Sequence, residues 1–278
     1  MQATRQVVPA RRGYDVEPFP PSRRLVTAAL RSGRRIVPMH GLFEVDISTA
    51  RRELARYDPP ASLTAFVIAC LGRAVAAHPE VHAYRDWRGR LVRHRAVDVQ
   101  TLIEVPTARG PFGLVHVVRD ADLRAVADIG AELRAVKADP ASTTSGRLLD
   151  IAAPLGGRIP GGYRLMYAVL RRSHRAHLAT GTVQVSAVGM FGGGGGFAIA
   201  TPTLASLSVI VGGASSRPLA VEGKVEVRQV LDLTVTIDHT VVDGAPATRF
   251  AAEFRSLLTS AVLLTGQPGH TGPVVAAG

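Results

Sequence analysis

Lysine is nearly missing from this chain. It occurs only at Lys137 and Lys224, so almost all of the 33 basic residues are arginines. Cysteine is rarer still. The single Cys70 excludes a disulfide framework within the chain, and its place inside LTAFVIACLG reads as a buried, inert thiol. Aromatic residues make up only 5% of the chain, so the core must be built mostly from Val, Leu, Ile and Ala. No apolar run reaches transmembrane length, and MQATRQVVPARRGYDVEPFPP holds no apolar core of signal-peptide length. These absences predict a soluble, cytoplasmic protein with no transmembrane segment.

What remains is a hydrophobic chain with a basic surplus. The 278 residues are 46% hydrophobic, and 22 acidic residues leave a formal charge of +11. The mean hydropathy is +0.16. Such a composition folds rather than staying disordered. The arginines are spread in pairs, such as Arg34-Arg35, Arg51-Arg52 and Arg171-Arg172, with no helix-turn-helix, zinc-ligand cluster or RNP-type aromatic pattern. The expected partners are therefore anionic in general, nucleotide-bearing cofactors included, with no specific nucleic acid.

Along the chain, residues 1–21 lack periodicity and read as a flexible N-terminal arm. Helical spacing predicts helices over 22–33, 48–57 and 62–79, with an extended stretch at 34–48 interrupted by Pro38 and Gly41. VHAYR-DWRG-RLVRH reads as a hairpin turning at Gly89. AVDVQTLIEVPT and FGLVHVV are strand-like, and 121–137 is an amphipathic helix. The region 150–178 is basic and helical, clearest in YRLMYAVLRRSHRAHL. Such a segment suits a subunit interface, or else a membrane surface. The last third is mainly β, with GTVQVSAVGM, LASLSVIVGG and a hairpin turning at Glu222-Gly223, before a helix over PATRFAAEFRSLLTSAVLL. Residues 265–278 read as a flexible tail. With no repeat or linker, 22–264 forms one α+β domain.

Two stretches carry candidate chemistry. LDLTVTID alternates apolar and polar residues, the period of a strand with one face in a core. Pro246 suits the first turn of a following helix. His239 to Gly244 is thus a tight strand-to-helix connection, a common seat of function. His239 has no HxxxH or HExxH partner, which argues against a metal. Catalysis by His239, or a structural turn in which Asp243 bonds its own loop, stay open on the residues alone. The other stretch, VQVSAVGMFGGGGGFAI, has no Gly-Lys-Ser/Thr and no helix behind its glycines. Its glycine run, 192–196, reads as a flexible loop or a backbone that closely approaches a neighbour. Ser186 lies in the strand before it.

Together these stretches resemble the catalytic domain of dihydrolipoamide acyltransferases, the core component of 2-oxoacid dehydrogenase complexes, which shares its fold with chloramphenicol acetyltransferase. DHTVVDGAPATRF is similar to the family's histidine motif, and GTVQVSAVG to its serine strand. VIACLGRAVAAHPEVHAY, RRIVPMHGLFEVDIS and VVRDADLRAVADIGAEL follow the family in order, so the likeness covers roughly residues 22–262. It implies a chloramphenicol acetyltransferase-like two-layer α+β sandwich, a mixed β-sheet covered by helices. It also implies a CoA-dependent acyltransferase, with coenzyme A or acyl-CoA as substrate and a thiol such as a dihydrolipoyl group as acceptor. By the same likeness His239 is the general base, Ser186 the oxyanion donor and Asp243 chiefly a support for the histidine loop. The family builds this site between subunits of a homotrimer, in some members within a larger cage.

Departures accompany the likeness. Thr240 stands where the motif has Arg, Ala187 where Asn follows the serine, and His82 where the helix motif ends in Asn. The chain begins almost at the catalytic core, so lipoyl and subunit-binding domains are expected to be absent and the acceptor to arrive in trans, on a lipoyl domain, a carrier protein or a small molecule. A catalytically silent trimeric or cage-forming scaffold is the alternative reading, and an arginine-based binder of nucleic acid or membrane surfaces a further one.

Overall fold

The computed structural model describes residues 14–16, 18–19, 21–105, 112–140, 161–189 and 194–265. Most of the expected arm and tail, residues 141–160, and Gly192 and Gly193 lie outside them. Six strands form one mixed sheet in the order β1-β8-β7-β6-β4-β5. These are β1 (Pro38–Asp46), β4 (Val99–Val105), β5 (Phe112–Val118), β6 (Val183–Ala187), β7 (Leu207–Val221) and β8 (Lys224–Asp238). The pairs β6–β7 and β4–β6 are parallel, and the other three are antiparallel. The small hairpin β2 (Tyr84–Arg85) and β3 (Leu91–Val92) stands apart.

Helices α2 (Ser48–Leu54), α3 (Leu63–Ala77), α4 (Val126–Ala138) and α7 (Gly244–Ser260) pack as the second layer. The expected two-layer α+β sandwich is thus observed. α3 is buried almost all round: it packs against α4 and α7, and its Ala65, Phe66, Ile68, Leu71 and Val75 belong to the same core cluster as buried strand residues such as Val99, Val185 and Leu233. Ser62 caps it, its hydroxyl accepting from the Ala65 N–H. Cys70 is fully buried within α3, and burial pushes its thiol pKa well up.

Several elements differ from their sequence reading for identifiable reasons. Pro38 does not interrupt the first strand; it begins it, at the sheet edge, where a missing N–H breaks no ladder. β1 also runs through Gly41, which pairs with Val235. α4 begins at Val126 rather than 121, because Asp98 fixes the preceding turn by accepting from the Arg119 side chain (2.6 Å) and the Asp120 N–H (3.1 Å). The basic helical segment is two helices, α5 (Gly162–Leu170) and α6 (His174–Thr180). They break where the Ser173 hydroxyl caps the second.

LASLSVIVGG and RPLAV are one strand, β7, with an irregularity between Val211 and Ala214. There the glycines explain themselves by close approach. A Cβ on Gly212 would stand 2.3 Å from the Gly196 carbonyl oxygen, and one on Gly213 would stand 2.1 Å from that of Gly194. The remnant of the glycine run therefore lies backbone to backbone on β7. The polar side of LDLTVTID is not solvated either: Asp232, Thr234 and Thr236 are all buried. β8 lies between β1 and β7, and Asp232 Oδ2 accepts from the Gly196 N–H and from Arg217, each at 2.5 Å.

Candidate active site

β8 ends at Asp238, and the chain turns at once into α7. Three backbone bonds hold that turn. The His239 N–H donates to the Val37 carbonyl (2.8 Å), and the Val241 and Val242 N–H groups donate to the Asp238 carbonyl (3.0 and 3.1 Å). Asp238 also accepts through its side chain, from the Thr240 N–H (3.0 Å) and the Thr240 hydroxyl (2.8 Å). The residue that departs from the family motif thus has a local partner of its own.

The His239 ring is fixed by one contact, Nδ1 to the Val242 carbonyl oxygen at 3.2 Å. A carbonyl oxygen can only accept, so Nδ1 carries the hydrogen and Nε2 of the neutral ring keeps its lone pair. The side chain is 48% exposed, which leaves that nitrogen open to a reactant. Asp243 is the residue before α7, in extended conformation, and its side chain caps no N–H. Its carboxylate is 91% exposed and lies 4.0 Å from His239 Nδ1. Within the turn, the side chain that bonds the backbone is that of Asp238.

Ser186 lies in β6, paired with Ile210 of β7, which in turn pairs with Thr234 of β8. His239 is thus two strands across and five residues along, a separation of roughly 19 Å at ordinary sheet spacings. One protomer does not bring Ser186 and His239 together. Ser186 instead lines its own cavity of about 420 Å³, shared with Ser62, Thr64, Thr101 and Lys137. Its hydroxyl has no hydrogen-bond partner among the described residues and is free for a ligand.

Two further clusters had weak sequence signals. A cavity of about 280 Å³ abuts the His239 turn, with Asp238 and Thr240 on its wall beside Arg35, Arg85, Arg171 and Arg172. The arginine pairs are visible in sequence; their convergence is a product of topology. Behind the β2–β3 hairpin, Tyr84 stacks on His177 and His94, with ring centroids 3.9 and 5.3 Å away. Burial lowers the His82 pKa to about 4. Burial, with repulsion from His82, His177 and His174, lowers that of His94 to about 3. Among the described residues no group of three His, Cys, Asp or Glu side chains could hold a metal ion. No described helix is long and apolar enough to cross a membrane.

The fold is that of the chloramphenicol acetyltransferase class: a chloramphenicol acetyltransferase superposes with a TM-score of 0.51 over 88% of this chain and 98% of the other, at 17% identity. Residues 168–265 match the family model described as 2-oxoacid dehydrogenases acyltransferase (catalytic domain), so the family resemblance seen in the histidine motif is borne out. The lipoamide acyltransferase component of the branched-chain alpha-keto acid dehydrogenase complex of Pseudomonas aeruginosa is 32% identical over 90 residues, 31% of this chain and 20% of that protein. The dihydrolipoyllysine-residue acetyltransferase component of the pyruvate dehydrogenase complex of Rickettsia bellii is 22% identical over 73% of this chain and 40% of its own length. The chain thus spans well under half of either relative.

Among solved structures, a probable dihydrolipoamide acetyltransferase of Listeria monocytogenes gives a TM-score of 0.68 at 17% identity, covering 94% of this chain and 99% of the other. The cubic core of a pyruvate dehydrogenase multienzyme complex gives 0.66 at 18% identity, over 95% and 99%. The Azotobacter vinelandii dihydrolipoamide acetyltransferase gives the same values; in that protein a serine, a histidine and an asparagine were investigated for their role in catalysis.

Proposed function

We propose that the protein is a CoA-dependent acyltransferase of the 2-oxoacid dehydrogenase type, its site completed between copies of the chain. The observation that carries this reading is the Nδ1 contact to Val242, which leaves His239 Nε2 as the free base. A thiol has a pKa of about 8.5 and imidazole about 6.5, so a neutral histidine beside a thiol can take its proton near neutrality. The resulting thiolate sulfur attacks the thioester carbon of the acyl donor, and the carbonyl oxygen becomes an oxyanion. The hydroxyl of Ser186 donates to that oxyanion. The intermediate collapses by breaking the bond between the carbon and the donor sulfur, and the departing thiolate recovers the proton from His239. No covalent acyl-enzyme forms, and the residues need no metal for any step.

Within one protomer Ser186 and His239 lie too far apart to act on one carbon, so the serine comes from a neighbouring copy. A homotrimer, as the family resemblance implies, supplies this at each of its interfaces, and a larger cage is compatible with it. The α5 helix, with Leu165 and Val169 exposed, offers apolar surface for such contacts. The acceptor is a thiol, a dihydrolipoyl group carried on another protein or a similar small thiol. Asp243, 4.0 Å from Nδ1, favours the imidazolium that forms in the transition state. The test is acyl transfer from acetyl-CoA to dihydrolipoamide and a panel of thiols, comparing the natural protein with His239→Ala. Loss of about 10²–10⁴ in rate is expected for removal of a general base; equal rates in both proteins, or no turnover with any thiol, would favour a silent scaffold.

A further inference from the structure

The cavity beside the His239 turn carries four arginines on its wall. Arg35 reaches it from the loop after α1 (Pro21–Gly33), Arg85 from β2, and Arg171 and Arg172 from the break between α5 and α6. None of the four has an ion pair among the described residues. Two carboxylates also line the wall, and both have prior partners. Asp86 is held by Arg90 at 2.8 Å and by the N–H groups of Arg88 and Arg90. Asp238 is held by Thr240. Partial burial, then repulsion from Arg172 and Arg35, lowers the Arg171 pKa, and only Asp238 opposes this.

Like charges converging from three separate segments repel one another, and the fold gains nothing from the arrangement unless an anion occupies it. Guanidinium forks match the paired oxygens of carboxylate and phosphate. The volume, about 280 Å³, falls just below the roughly 300–1,000 Å³ of sites for drug-sized ligands, which fits a compact charged group rather than a whole nucleotide. We propose that this cavity is an oxyanion-binding subsite that anchors the carboxylate or phosphate end of a substrate beside His239. That the ligand is a substrate rests on the acyl-transfer reading; the anion site itself does not. The break between α5 and α6 is what builds it, since a continuous helix through Arg171–Ser173 would carry successive arginines around its circumference.

The test is calorimetric titration of the full chain at low salt with inorganic phosphate, succinate and adenosine 3′,5′-bisphosphate. At least one of the three is expected to bind, about tenfold more weakly after Arg171→Gln or Arg172→Gln, while the charge-keeping Arg172→Lys loses less. Preference for succinate assigns the anion to an acyl chain, and preference for the bisphosphate assigns it to the nucleotide of the donor. If a glutamine variant loses its native melting transition, Arg85→Gln on the exposed hairpin replaces it with the same expectation. Equal affinity in the natural and variant proteins, or no binding of any of the three, overturns the proposal. Acetyl transfer from acetyl-CoA is measured in parallel, so an inactive protein that still binds anions separates failure of the acyltransfer reading from failure of the subsite.

Discussion

Ser186 and His239 occupy strands two apart in one sheet, and the register sets them roughly 19 Å from each other within a protomer. The serine hydroxyl opens into one cavity and the histidine ring flanks another. Within one protomer the two residues therefore face different spaces.

Single substitutions should separate the two roles. Ser186→Ala is expected to lower kcat by about 10²–10³, the usual loss for one oxyanion donor, with little change in KM. A drop in kcat/KM that comes from KM alone would mark Ser186 as a binding residue instead.

Asp243 and Asp238 should differ in the opposite order from what the motif suggests. Asp243 is 91% exposed and 4.0 Å from the ring, so solvent screens its effect. Asp243→Asn should lower kcat/KM by about tenfold or less. Asp238→Ala removes both side-chain bonds that shape the turn and should cost more. Steady-state rates of the two variants decide the order.

Gly72 tests close packing against helix propensity. Alanine within a helix is intrinsically favoured over glycine by about 1 kcal/mol. A Cβ at Gly72, however, would lie 2.6 Å from the backbone carbon of Ala121. The clash should win, so Gly72→Ala is expected to destabilise by about 1–3 kcal/mol, measured by urea unfolding.

Acid should weaken the fold through its histidines. His82 and His94 have folded pKa values lowered from 6.5 to about 4 and about 3. Asp122 opposes the shift at His82, while His174 and His177 add to that at His94. Below pH 6.5 the unfolded chain binds protons that the folded chain refuses, so stability is full above 6.5 and falls toward pH 4. Between pH 6.5 and 5 the loss is on the order of 2 kcal/mol per histidine. His94→Phe should flatten this slope, read from urea midpoints at several pH values. His94 Nδ1 is buried without a partner, so the ring that replaces it leaves no donor or acceptor stranded.

Periodicity made β8 and α7 legible in the sequence, because each repeats apolar residues with its own geometry; α3 was legible as a long apolar run, and the Glu222-Gly223 turn through its glycine, whose φ is +79°. The His239 turn was legible through its motif. The burial of the polar face of LDLTVTID was not, since alternation cannot say what covers the second face. Nor was the break at Ser173, where a local cap overrides a long helical pattern. The arginine cavity is the plainest case: Arg35, Arg85 and Arg171 are scattered in sequence, and only the fold brings them to one wall.

The most direct test of the shared site mixes two inactive proteins. His239→Ala and Ser186→Ala are denatured separately, then refolded alone or together, and acetyl transfer is measured. Random mixing restores a complete site at about one interface in four, because each then combines an intact histidine with an intact serine from different chains. Activity near a quarter of the natural level in the mixture, with almost none in either variant refolded alone, is the predicted result. A mixture no more active than its components, from a protein that does form trimers, would contradict it.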